Sequence, residues 1–186
     1  MKMIPEYIFF ICIIADKNVG KKCLRESSFV NDKYSEDTGS TLGFSLFLKE
    51  VEAYGGKIRF HLSMFNPDKH FERLQIIQVK TSDGILLLYD ITNRKSLEWL
   101  SRWSQIIKTE RKDYIPILLV GNKLDLEEKR EVSRAQVEKL KDNQNITLSM
   151  EISVKTGENV EEMFMHIARI MMKKYLSKSN LQINQD

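Results

Sequence analysis

Lys21 and the glycine before it stand where phosphate-binding chemistry is expected. The loop Ala15-Asp16-Lys17-Asn18-Val19-Gly20-Lys21-Lys22 joins a short apolar run to a helix-like stretch. It approximates the pattern G-x-x-x-x-G-K-[ST], departing at its first and last positions. In such a loop backbone N–H groups cradle phosphates, and the helix that follows adds a partial positive charge. Asp16, Lys17, Asn18, Val19, Gly20, Lys21, Lys22 and Cys23 are therefore the candidate phosphate contacts, with Lys21 reaching the terminal phosphates. Taken alone, the loop is equally an ordinary strand-to-helix turn that contains Gly-Lys.

Two later loops add recognition of a base. Asn122-Lys123-Leu124-Asp125 follows the apolar run Ile117–Val120. This box suits guanine, because Asp125 can accept both the ring N–H and the exocyclic amine, an arrangement adenine cannot satisfy. The stem of Lys123 can lie along the base, and Asn122 can tie this loop to the phosphate loop. Ser153-Val154-Lys155 follows Ile146–Ile152, and its backbone amides can donate to the guanine oxygen. Either box by itself could be a solvated loop. All three loops occur in order, each after a strand-like run, and open α/β sheets bind ligands beyond the C-terminal ends of their strands.

The elements that must position these loops alternate along the chain. Tyr7–Ile14 is short, continuous and rich in isoleucine and aromatics, as a strand buried on both faces requires. It ends in Ala15-Asp16-Lys17-Asn18, without a small-residue cleavage pattern, so a signal peptide is rejected. A helix-like stretch runs to about Val30, and residues 31–43 read as a loop. Alternating runs around Tyr54-Gly55-Gly56-Lys57 predict a hairpin. Residues 63–75 read as irregular and charged. Strands are expected at 85–89, 117–120 and 146–152, and helices at 133–142 and along the stripe Val160, Met163, Phe164, Ile167, Met171, Tyr175. Leu97, Leu100, Trp103 and Ile107 predict another helix, capped by Asn93 or Ser96. Strands alternating with helices imply an α/β fold with a mostly parallel sheet covered on both faces.

The chain has 186 residues, which suits one domain, read here as 1–178 with a polar tail at 179–186. Hydrophobic residues at 42% exclude disorder, and a net charge of +3 gives no reason to expect nucleic acid as a partner. Two cysteines exclude a disulfide scaffold, and the three scattered histidines fit no zinc site. No cysteine lies near the C-terminus, so a lipid anchor is not expected of this chain. Glu127–Glu131 reads as a solvated charge run. Trp103 reads as core, and Trp99 as a side chain available to a partner surface.

With all three loops in place, the sequence resembles a small GTPase of the Ras superfamily, closest to its Rab branch, over about residues 7–176. Asp90-Ile91-Thr92-Asn93-Arg94-Lys95-Ser96-Leu97-Glu98 resembles the Rab-type sequence after the fourth strand. The resemblance implies a three-layer fold, with a six-stranded sheet and about five helices, and GTP or GDP as ligand. It implies two switch segments, with Thr41 sensing the γ-phosphate and magnesium and Tyr34 packing against the base. It further implies a protein effector or regulator at 38–51 and 64–74, and a cytoplasmic protein that can lie peripheral to a membrane.

The departures from the family pattern fall on metal and hydrolysis chemistry. Lys22 stands where the family has the Ser or Thr whose hydroxyl binds Mg²⁺, and an ammonium cannot coordinate a cation. Met64 replaces the aspartate that supports Mg²⁺, and Pro67 replaces the glycine whose N–H meets the γ-phosphate. Asp68 stands at the position of the glutamine that orients water, the one candidate catalytic residue, and its charge beside a γ-phosphate argues against that role. Lys17 fills a place usually held by a small residue, where bulk obstructs hydrolysis. Together Lys22 and Met64 shift the site by about +2, the charge of the Mg²⁺ that is doubtful here. The expectation is a guanine-nucleotide binder with crippled hydrolysis and no metal site. An active GTPase switch and a nucleotide-free scaffold are the alternatives.

Overall fold

A computed structural model describes residues 6–28 and 43–183. Tyr34 and Thr41 lie outside the described residues, as do residues 38–42 of the expected partner surface.

Six strands form one sheet: β1 (Glu6–Ala15), β2 (Phe44–Ala53), β3 (Gly56–Phe65), β4 (Gly84–Asp90), β5 (Ile117–Asn122) and β6 (Leu148–Glu151). Their order is β2-β3-β1-β4-β5-β6. Only β2 and β3 pair antiparallel, and every other neighbouring pair is parallel. The hairpin turns on Tyr54 and Gly55, both with positive φ, as a two-residue turn between right-twisted strands requires.

Among the described residues five α-helices cover the sheet: α1 (Lys21–Ser28), α2 (Glu72–Thr81), α3 (Arg94–Glu110), α4 (Arg134–Gln144) and α5 (Val160–Ile183). Short 3₁₀ segments lie at Lys69–Phe71 and Leu124–Lys129. Asn93 caps α3 by accepting from the Lys95 N–H at 3.1 Å. Ser133 and Gln136 close a reciprocal capping box on α4. None of the described helices is long and apolar enough to cross a membrane.

The central strands are apolar on both faces because two separate cores flank them. Ile11, Ile13, Phe60, Leu62, Met64, Leu86 and Leu88 pack under Phe164, Ile167 and Met171 of α5. Cys12, Ile14, Ile85, Leu87 and Leu119 pack under Leu100, Trp103 and Ile107 of α3. Burial pushes the Cys12 thiol up to about 12, so it behaves as a small apolar side chain.

Several expectations are corrected. Residues 63–75 are not irregular: β3 continues to Phe65 and α2 begins at Glu72. The helix left no apolar stripe because its buried face carries Gln75 beside Val79, while Leu74 and Ile77 are exposed. The Gln78 side chain instead accepts from Ser63 Oγ at 2.5 Å, fixing α2 to β3 through a polar contact. The run at 127–131 is more than a solvated loop. Arg130, its side chain 15% exposed, bridges Glu127 and Glu151 and anchors this segment to β6. β6 itself is shorter than expected, covering only 148–151.

Candidate functional site

The three predicted loops converge at the C-terminal edge of the sheet. The phosphate loop leaves β1 at Ala15 and enters α1 at Lys21. Asn18 and Gly20 take positive φ, 60° and 98°, to make the turn. A Cβ on Gly20 would collide with the Asn122 amide nitrogen, so glycine is required for the close approach of the two loops. Asn122, 1% exposed, is the joint between all three loops. Its Nδ2 donates to Val19 O at 2.8 Å, and its Oδ1 accepts from Val154 N at 3.1 Å. The tie from Asn122 to the phosphate loop is therefore present, and the same side chain also reaches the third loop.

Asp125 lies at the base-recognition end. Its Oδ1 accepts from Ser153 Oγ at 2.6 Å, and Lys155 Nζ stands 3.8 Å from Oδ2. The carboxylate is thus oriented by one short bond, with Oδ2 engaged only by a distant, exposed lysine. Lys123 takes a positive φ of 71°, and its Nζ meets Asp90 Oδ2 at 2.5 Å. Asp90 in turn accepts from the N–H and hydroxyl of Thr92. Asp90 escaped the sequence reading, although its place at the end of β4 marks it as a residue that can hold a loop.

At the phosphate end, Lys21 Nζ donates to Ala15 O and Asp16 O, both at 3.0 Å. Burial lowers its ammonium to about 8, against the attraction of Asp16, and Lys17 lowers it further. Asp16 Oδ1 accepts from the Lys17 N–H, so its carboxylate serves the loop's own backbone. Lys22 points outward: its side chain is 78% exposed, with Glu26 at 3.7 Å. Cys23 is exposed on α1.

A cavity of about 830 Å³ opens beside this loop, between α1, the start of β2 and the end of β3. Lys17, Asn18, Gly20, Lys21 and Lys22 line it, whereas Asp16, Val19 and Cys23 do not. Arg25 lines it too, and sequence reasoning missed it. Its place three and four residues beyond Lys22 and Lys21 puts it on the same helical face. On the far wall, Asp68 caps the 3₁₀ turn. The backbone N–H of His70, and then its ring at 2.5 Å, hold the Asp68 carboxyl below the usual carboxylate range.

Two of the described residues at this end offer no ligand to Mg²⁺. Met64, 5% exposed, is part of the apolar core, and a thioether is a poor partner for a hard cation. Lys22 offers no lone pair. Among the described residues no group of three His, Cys, Asp or Glu could hold a metal ion.

Comparison with known proteins agrees with this geometry. The family model described as "Ras family" matches residues 11–173. The chain is 33% identical over 170 residues to Ras-related protein Rab-4 of Dictyostelium discoideum, covering 91% of this chain and 82% of that protein. It is 33% identical over 175 residues to human Ras-related protein Rab-8B, covering 94% and 84%. It is 29% identical over 174 residues to Ras-related protein SEC4 of Candida albicans, covering 94% and 82%. With its sheet order, its three loops and these relatives in agreement, the chain belongs to the Ras family, as a Rab-like small GTPase homologue.

Proposed function

We propose that the protein binds guanine nucleotide, hydrolyses GTP very slowly or not at all, and acts through a partner-binding surface. The observation that carries nucleotide binding is the bridge by Asn122 between Val19 and Val154. It holds the phosphate loop and both base-recognition loops in one rigid unit, as a fully satisfied buried polar contact does.

The case against hydrolysis rests on three side chains. Phosphoryl transfer to water needs a metal, a positioned water and contacts to the γ-phosphate. Met64 is packed in the core, Pro67 has no N–H, and the Asp68 carboxylate is engaged by His70. The partner surface would combine 43–51 of β2 with 64–74, beside the exposed Leu46 and Leu74. One observation favours a nucleotide-free scaffold instead: Lys21 is bonded back onto its own loop and Lys22 is turned to solvent.

Denaturing the purified protein and separating released nucleotides by anion exchange tests this reading. Near-equimolar GDP or GTP is expected, and a phosphate-release assay should show no turnover above a heat-killed control. Absence of nucleotide, with none taken up on addition, would move the reading to the scaffold. Clear turnover would make the protein an active switch.

A further inference from the structure

We propose that the phosphate end of the site holds the nucleotide without a divalent cation, with Lys22 and Lys17 providing charge that the metal would otherwise supply. This rests on the reading of the chain as a guanine-nucleotide binder.

The cavity beside the phosphate loop has a one-sided charge. Lys17, Lys21, Lys22 and Arg25 line it, and among the described residues Asp68 is its sole carboxylate. Its Oδ1 is taken by the N–H and ring of His70, which leaves a single carboxylate oxygen, Oδ2, on this wall. The remaining wall is apolar where an acidic oxygen would be needed: Met64 and Phe65 are both buried. A Mg²⁺ ion at a phosphate site keeps several waters and takes its remaining oxygens from the phosphates and from one or two protein side chains. Placed here it would meet ammonium groups and a thioether.

A phosphate chain meets the opposite situation. Lys21 is committed to the carbonyls of Ala15 and Asp16, which fixes its ammonium at the loop and leaves it one further proton to donate. Lys22 is different. It sits on the first turn of α1, its side chain is 78% exposed, and its ion pair with the half-exposed Glu26 is 3.7 Å long. Exposed pairs at this spacing are weak, and this one does not hold the ammonium from a polyphosphate. Lys17 is exposed on the same rim. Two exposed ammonium groups therefore line the cavity beside a helix N-terminus, within reach of a phosphate chain bound there once Lys22 turns from Glu26. The net shift, one cation gained at 22 and one anion lost at 64, matches the charge of the ion replaced.

The test uses the full chain loaded with mant-GDP and chased with excess GDP, the release being followed by fluorescence. Release rates in Mg²⁺ and in EDTA are expected to agree within about twofold. Lys22→Ser should release mant-GDP about tenfold faster in EDTA, the effect of losing one charge–phosphate contact of 1.4 kcal/mol. Guanosine, which lacks phosphates, should compete equally with the wild type and with the variant. Fast release triggered by EDTA in the wild type would overturn this inference alone. An unchanged rate in Lys22→Ser would overturn the role of the lysine. Failure to load mant-GDP in either buffer would overturn the nucleotide reading and this inference with it. Lys22 is exposed, so the variant should melt with the wild type, and Lys22→Gln serves if it does not.

Discussion

The side-chain amide of Asn122 donates to the carbonyl of Val19, 103 positions earlier in the chain, at 2.8 Å and in full burial. Its other end accepts from Val154 at 3.1 Å. Removing this side chain orphans a buried carbonyl and a buried N–H together. A buried group left without its partner costs about 1–3 kcal/mol. Asn122→Ala is therefore expected to lower stability by about 2–4 kcal/mol in urea unfolding, and to release mant-GDP faster. Asn122→Asp keeps the acceptor for Val154 but loses the donor to Val19, so its loss should be smaller only if the new charge finds a partner. A neutral Asn122→Ala result would remove the bridge as the basis of the site.

Hydrolysis should not return by a single repair. Asp68→Gln restores an uncharged side chain able to orient water, but Pro67 still offers no N–H and Met64 no ligand oxygen. Single-turnover phosphate release by Asp68→Gln is expected to stay at the level of the wild type. The same substitution removes the cap on the 3₁₀ turn, where Asp68 accepts from His70 N at 2.9 Å. Faster proteolysis within 66–71 should accompany it. A gain in phosphate release would show that the position alone had limited turnover.

The fold and the meeting of the three loops were legible because both depend on residue types at fixed spacing. Continuous apolar runs marked the buried strands, and Asn122, Asp125 and Ser153 met in space as their order along alternating strands implies. The helix α2 was not legible, because its buried positions include Gln75 and its outer face carries Leu74 and Ile77. A helix held by a polar bond such as Ser63 to Gln78 leaves no hydrophobic period to read. The direction of Lys22 was hidden for a different reason. Its residue type excludes a metal, but only coordinates separate an ammonium turned toward Glu26 from one turned toward a ligand.

If Lys21 holds phosphate as proposed, nucleotide affinity should depend on pH. In the folded protein burial lowers its ammonium from 10.5 to about 8. Between these values the unfolded chain holds a proton that the folded chain lacks. This group therefore makes the nucleotide-free protein more stable as pH rises through that window. A bound phosphate reverses the balance, because it favours the charged form of Lys21. Binding then takes up a proton above about pH 8, and affinity should fall by up to about tenfold per pH unit there. Fluorescence titration with mant-GDP across pH 7 to 10 measures this, and Lys21→Arg should flatten the profile because a guanidinium keeps its charge. A flat wild-type profile would mean that Lys21 does not touch phosphate.

The two walls of the cavity are joined to each other by protein contacts. Gly43 O accepts from Asn66 N at 2.7 Å, and Gly43 itself, with φ of 68°, lies so close to the Phe71 ring that a Cβ would collide with it. The Phe44 and Phe65 rings pack at a tilt with centres 4.7 Å apart, and those of Phe65 and Phe71 at 6.2 Å. In the family pattern these segments sense the γ-phosphate. Here protein atoms join them directly, and Pro67 stiffens the connection. The arrangement around Gly43 and Phe71 should therefore be the same with GDP and with a slowly hydrolysed GTP analogue. Amide hydrogen exchange at Asn66 and across 69–74 is expected to differ by less than about threefold between the two, equivalent to less than about 0.7 kcal/mol of opening free energy. Phe71→Ala removes the ring that closes the cluster and should raise exchange at Asn66 by at least about tenfold, with a loss of about 2–3 kcal/mol in global stability for a half-buried aromatic. Strong protection gained only with the GTP analogue would show instead that the nucleotide, and not the Gly43–Phe71 contact, sets this surface.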